Sequence, residues 1–282
     1  MDGDKLKGML WGLVVGDCLG SPIQFSGKDN HPWITEMVEC PVFDLPPGYW
    51  TDDSSMAFCI MDSYVRLGHY DFKDIGKTFL KWYADGYLSS VEGCSFDVGV
   101  ATKRAMHGIA SGHYVNGAES GQGNGSIMRL APSWIVAQGE AAPARVLNEV
   151  SDLTHSSAKV REVVARFAGI LGEHVAGRRT REKSAYGARA EVDNSGWAVS
   201  TLDAALWAFE TTSTFEDGMV AAVNLGGDSD SIGAVYGQLA GAYYGCGAIP
   251  RRWIEAVKSW REVEARIAGF LDACARRGIS RQ

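Results

Sequence analysis

Apolar residues recur every three or four positions along almost all of this 282-residue chain, and that spacing leaves room for little except helices. Leu6, Leu10 and Leu13 share one face near the start, and Asp17 ends the same inward stripe. The pattern returns in Val160, Val163, Val164, Phe167, Leu171 and Val175, then in Leu202, Ala205, Leu206 and Phe209. It closes with Trp253, Val257, Trp260, Val263, Ile267 and Phe270. No comparable run of alternating residues marks strands, so an all-α fold is expected. Residues 177–196 break the period. They are polar and basic, with Arg178, Arg179, Arg181, Lys183 and Arg189, and read as a solvated loop or as a connection between two domains.

A single domain over residues 1–282 is preferred, because two acidic clusters on opposite sides of that loop would have to meet in space. No internal repeat is visible. Gly233, Gly237 and Gly241 fall at four-residue steps and predict a bare helix stripe that another backbone can approach, with tight packing offsetting the helix cost of glycine.

Composition narrows the partners. Hydrophobic residues make up 46% of the chain, ample for a large core. A net charge of −7, with 27 basic residues dispersed, argues against nucleic acid as a partner. Cys18, Cys40, Cys59, Cys94, Cys246 and Cys274 form no CxxC pair and are expected to be reduced and mostly buried. Aspartates in the first residues and Asp17 in the following apolar run fit neither a signal peptide nor a membrane span, which makes the cytoplasm the default compartment.

Thr51, Asp52, Asp53, Ser54 and Ser55 precede an apolar helical stretch, where an N-cap with dipole-favoured acids is the plain explanation. Asp228, Ser229, Asp230 and Ser231 follow Gly226 and Gly227 and also open a helix. Together the clusters offer the carboxylate and hydroxyl oxygens that hard cations such as Mg²⁺ or Mn²⁺ prefer, and nearby histidine and cysteine are too scarce for zinc. Gly123, Asn124, Gly125, Ser126, Ile127, Met128 and Arg129 form a glycine-rich turn whose amides suit a diphosphate. The turn lacks a P-loop lysine and the GxGxxG spacing of a dinucleotide fold. Asp97 reads either as a solvated loop residue or as a ligand for a cationic substrate group, His155 as a helix-end histidine, and Trp197 most simply as core.

Taken in order, Gly16-Asp17-Cys18-Leu19-Gly20, Trp50-Thr51-Asp52-Asp53, the Gly123–Arg129 turn, Thr154-His155 and Gly226-Gly227-Asp228-Ser229-Asp230-Ser231 resemble the ADP-ribosylglycohydrolase family, the relatives of dinitrogenase reductase-activating glycohydrolase. The resemblance runs from about Leu6 to Tyr244 with order and spacing kept. It implies a single compact orthogonal helical bundle of that type, two Mg²⁺ or Mn²⁺ ions, and hydrolysis of the bond between ADP-ribose and a modified side chain or small molecule. Thr51, Asp52, Asp53, Asp228, Asp230 and Ser231 would be the metal ligands, Ser231 standing where threonine is usual. Gly125, Ser126 and neighbouring amides would hold the diphosphate, while His155 and Trp197 would line the nucleotide pocket.

Asp97 resembles an aspartate of the arginine-specific branch, and a carboxylate suits an always-protonated guanidinium. An ADP-ribosylated arginine protein is therefore the expected substrate, with Asp53 or Asp52 activating water and the enzyme acting as a monomer. Gln24 departs from the family, since many members carry glutamate there; an amide can ligate a cation but cannot accept a proton. Other ADP-ribosyl linkages, such as serine, poly-ADP-ribose or a free metabolite, and a weakened ADP-ribose binder are the rival readings.

Overall fold

A computed structural model describes residues 1–279, so the last three residues of the expected 1–282 unit lie outside it. Twelve α-helices follow one another: α1 (Gly3–Gly20), α2 (Asp52–Leu67), α3 (Phe72–Asp85), α4 (Val100–Ala110), α5 (Leu130–Ala137), α6 (Pro143–Asp152), α7 (Ala158–Val175), α8 (Ala198–Thr211), α9 (Phe215–Val223), α10 (Ser229–Tyr244), α11 (Arg251–Ala256) and α12 (Trp260–Arg276). Among the described residues there is no strand, only isolated bridges pairing Cys40 with Leu45 and Gly123 with Trp197. The all-α expectation holds. No described helix is long and apolar enough to cross a membrane.

The centre of the molecule is the pair α1 and α10. From Gly8 to Gly20 every residue of α1 is buried, so the one-sided stripe read from Leu6, Leu10 and Leu13 is a whole circumference. That difference has a simple cause, because a helix surrounded by others has no polar face to keep. The glycine stripe of α10 meets a matching one on α1. A Cβ built on Gly237 would lie 1.9 Å from the Gly12 carbonyl oxygen, and one on Gly16 would lie 2.0 Å from that of Gly233. Backbone therefore rests on backbone.

This contact places the C-terminal end of α1, with Asp17, beside the N-terminal end of α10, with Asp228, Asp230 and Ser231. A second, smaller apolar cluster, including Phe79, Trp82 and Met106, joins α2, α3 and α4 behind the site.

Residues 177–196 are irregular except for a 3₁₀ turn at Arg189–Glu191, and they are tied down rather than free. Lys28 donates to the carbonyls of Arg189 (3.1 Å) and Val192 (2.6 Å), and Arg166 pairs with Glu182 at 2.9 Å. All six cysteines are free thiols; Cys94 is exposed and Cys246 partly so, and the other four are buried as expected.

One buried amide ties α10 to the glycine-rich turn. Gln238 donates through Nε2 to the carbonyls of Ile127 (3.0 Å) and Met128 (2.8 Å), and its Oε1 accepts from the amide of Ala131 at 2.7 Å. Replacing it by leucine strands those groups away from water. Gln238→Leu should cost about 1–3 kcal/mol, read by thermal melting; an unchanged melting temperature would show that the clamp contributes nothing.

Candidate active site

Asp17 organises the first acidic cluster. Its Oδ1 accepts from the Thr51 amide and hydroxyl, both at 2.9 Å, and its Oδ2 accepts from the Ser54 amide (2.9 Å) and hydroxyl (2.6 Å). Thr51 is the N-cap of α2 but its own hydroxyl does not cap the helix. Asp17, reaching across from α1, satisfies those amides instead, which leaves Asp52 and Asp53 free of the capping task. Burial raises its carboxyl to about 6 despite these bonds.

The two clusters meet. The Thr51 hydroxyl oxygen lies 3.4 Å from Asp53 Oδ2 and 3.4 Å from Asp230 Oδ2, and Ser231 Oγ lies 3.4 Å from Asp53 Oδ2. A hydroxyl has one proton, and the short bond to Asp17 takes that of Thr51. The oxygens of Thr51, Asp53 and Asp230 consequently crowd one another with no proton supplied by Thr51 between them. Asp53 Oδ1 and Asp230 Oδ1 are buried without any partner.

The electrostatics follow from this crowding. Burial, and then the charges of Asp97, Asp53, Asp17 and Asp228, hold the Asp52 carboxyl well above the ordinary range. Asp53 and Asp230 are pushed up likewise, by burial ahead of their acidic neighbours. Burial also raises Asp228, against a bond from Asn124 that lowers it. Buried carboxylates crowded in this way suit a cation, whose charge would offset both burial and mutual repulsion. Arg129, fully buried, is pushed down to about 10 by burial and feels Asp52 and Asp53 at a distance, but its hydrogen bonds go elsewhere.

A cavity of about 440 Å³ opens over the cluster, walled by Asp52, Asp97, Asp228, Asp230 and Ser231 on one side and by Gly123, Gly125, Met128 and His155 on the other. Thr51 and Asp53 lie below this wall. Asp97 sits on the rim in the left-handed conformation, φ +57°, which a short polar side chain tolerates best. Burial raises its carboxyl, and the adjoining Asp230 and Gln24 lower it. Gln24 is 1% exposed, and neither its Oε1 nor its Nε2 completes a well-directed hydrogen bond.

The glycine-rich turn divides its work. Gly123 and Gly125 face the His155 ring; a Cβ on Gly125 would lie 2.5 Å from His155 Cε1. Asn124 turns its side chain toward the acidic cluster, donating through Nδ2 to Asp228. Ser126 Oγ bonds Ser151 Oγ at 2.8 Å, and Ile127 is fully buried. Burial, and then the Arg129 charge, push the His155 imidazole down to about 3, so it is neutral at ordinary pH. Trp197 is 52% exposed rather than core, because it is the N-cap just before α8, where the backbone turns in to pair with Gly123. Sequence reasoning did not single out the exposed Phe25 on the cavity wall, and it named Asp17, Arg129 and Thr154 within motifs without giving any of them a role in the site.

The sequence profile of the ADP-ribosylglycohydrolase family matches residues 2–279. The chain belongs to that family. It is 35% identical to ADP-ribosylarginine hydrolase Tri1 of Pseudomonas putida (strain GB-1), over 92% of this chain and 75% of the relative. Identity to the ADP-ribosyl-[dinitrogen reductase] glycohydrolase of Rhodospirillum rubrum is 28%, over 95% and 96% of the two chains. A solved structure described as an ADP-ribosylglycohydrolase-related protein complex superposes with a TM-score of 0.81 at 35% identity, covering 96% of this chain and 98% of that one. The protein is an ADP-ribosylglycohydrolase, an enzyme of the hydrolase class.

Proposed function

We propose that this enzyme hydrolyses the N-glycosidic bond joining ADP-ribose to an arginine side chain, using divalent cations, Mg²⁺ or Mn²⁺, held over the joined acidic clusters. The observation that carries the reading is Asp97, a carboxyl set on the rim of the cavity beside Asp52 and Asp230. A guanidinium needs such a partner, and its fork of donors gives the carboxylate direction as well as charge. The similarity to Tri1 proteins named for ADP-ribosylarginine hydrolysis supports the same choice.

The unpartnered oxygens of Asp53 and Asp230 and the proton-free approach of Thr51 to both fit a cationic group. Among the described residues no three histidine, cysteine, aspartate or glutamate side chains form a ready cage by themselves. Thr51, Asp52, Asp53, Asp228, Asp230 and Ser231 would therefore hold the ions jointly, hydroxyls included. Bound there, the ions would supply Lewis acidity toward water and the ribose hydroxyls.

Asp52 is the better placed of the two candidate bases, since it is on the cavity wall while Asp53 lies beneath it. Water attacks the anomeric carbon as the carbon–nitrogen bond breaks with its electron pair going to nitrogen. The departing neutral guanidine takes up the proton that water gives to Asp52, and Asp97 holds the guanidinium so formed. Gln24 cannot share this proton transfer.

The decisive assay follows release of free ADP-ribose from an ADP-ribosyl-arginine protein with Mg²⁺, with Mn²⁺ and after chelation. Release should need the metal, and Asp97→Ala should lower it by about 10²-fold or more. Equal release after chelation would end the metal reading. Release from serine-linked or polymeric ADP-ribose in preference to arginine would replace the substrate assigned.

A further inference from the structure

We infer that Arg129 and Thr154 are positioning residues which lock His155 into one tautomer, so that its Nε2–H is a fixed donor aimed at an anionic oxygen of the bound ligand. The inference rests on the reading of the cavity as an ADP-ribose site and names how one wall recognises the diphosphate.

The argument is a proton count. Thr154 is fully buried, and its hydroxyl oxygen is 2.8 Å from Arg129 Nη2 and 2.8 Å from His155 Nδ1. A guanidinium can only donate, so that contact uses a lone pair of Thr154. The hydroxyl proton must then go to His155 Nδ1, because a hydroxyl buried without an acceptor is costly. Nδ1 is thereby an acceptor, and the imidazole proton sits on Nε2. That nitrogen points at the open side of the glycine turn: a Cβ on Gly123 would lie 3.1 Å from it.

Arg129 adds two further constraints. It donates to the Gly125 carbonyl, which turns that peptide oxygen away from the cavity, and its guanidinium lies over the Phe79 ring, 4.9 Å from the centroid. Its positive charge, buried beside His155, also opposes formation of an imidazolium. His155 is thus a neutral donor and not an acid or base, and the two glycines leave the space in front of it clear for phosphoryl oxygens.

The test reads the tautomer directly. Nitrogen-15 correlation spectra of the full chain, histidine-labelled, should show His155 protonated at Nε2 alone, with or without ADP-ribose. Protonation at Nδ1 in the wild-type protein overturns the proposal, and this measurement needs no variant. Thr154→Val should lose the single tautomer and bind ADP-ribose about 10-fold more weakly, raising KM for the modified protein with little change in kcat, while Thr154→Ser restores all three. Unchanged affinity and tautomer in Thr154→Val would equally overturn it. A wild-type enzyme showing the Nε2 tautomer yet binding no ADP-ribose would overturn the site reading instead, so the two failures are distinguishable.

Discussion

Asp230→Asn should make the metal-free enzyme more stable and nearly inactive. The opposite signs come from the same atoms. Asp230 is 2% exposed, has one oxygen with no partner and sits among Asp97, Asp228, Asp53 and Asp17, all of which push its carboxyl upward after burial itself. A group whose folded-state pKa is raised binds protons more readily folded than unfolded. Stability is then fullest below the unfolded value of 3.8 and falls as pH rises through the folded value. For Asp17 that window runs from 3.8 to about 6, and for Asp52, Asp53 and Asp230 it extends upward from the same starting point.

The metal-free wild-type enzyme should accordingly melt lower at pH 8 than at pH 5, because carboxyls with lowered values, such as Glu264 and Asp193, lose their stabilisation only below their ordinary values of 4.5 and 3.8 and so do not change across that range. The asparagine variant assigns the effect to the cluster itself. At pH 8 without metal, removing one charge should raise stability by about 1–2 kcal/mol, or roughly 2–8 °C in Tm for a chain of this size. Activity should fall by about 10²–10³-fold, and any rise in Tm produced by Mg²⁺ or Mn²⁺ should shrink. A variant less stable than wild type at pH 8 without metal would mean that the carboxylates are not under mutual strain.

How far the site could be read from sequence differs from residue to residue. Asp52 and Asp53 were visible because acids at a helix start are ambiguous alone, and Asp228 and Asp230 repeat the pattern after two glycines. Their meeting was an inference from chemistry, and the hydroxyl contacts that join them are long-range. Asp17 was recognised as the end of an apolar stripe and as part of a family motif but was given no role, since nothing in local sequence says that its carboxylate will cap a different helix. Arg129 was read only as the end of the glycine-rich turn, with no role of its own. A basic residue after a glycine turn looks solvated, and only the fold shows it buried beneath that turn. The plain core reading of Trp197 erred in the opposite direction, because a large aromatic residue suggests core while the bridge to Gly123 leaves it half exposed, as a pocket-lining role would allow. Asn124 was assigned to ligand through its neighbours, and although it lines the cavity its Nδ2 donates to Asp228 and Thr201. The helical period itself was legible throughout, because it depends on local spacing alone.

The glycine stripe shows best how one local signal needs its partner. Gly12→Ala should destabilise the enzyme by about 3 kcal/mol or more, lowering Tm by roughly 6–12 °C, although intrinsic helix propensity alone favours alanine by about 1 kcal/mol. The clash decides the sign. A Cβ at Gly12 would lie 2.1 Å from the carbonyl oxygen of Gly237 and 2.6 Å from its carbon, and no side-chain rotation can move a backbone. The same four-residue step runs through Gly8, Gly12, Gly16 and Gly20 on α1, so the chain spells both halves of the contact. Gly169→Ala on α7 and Gly269→Ala on α12 are the controls, since nothing lies within 4 Å of either added methyl. Both should leave Tm unchanged or raise it slightly. Activity of Gly12→Ala should fall as well, measured well below its melting point, because forcing α1 from α10 shifts Asp17 and with it the Thr51 hydroxyl relative to Asp230. A Gly12→Ala enzyme as stable as the controls would show that the helices can part without cost, and that the acidic clusters are held together by something other than this contact.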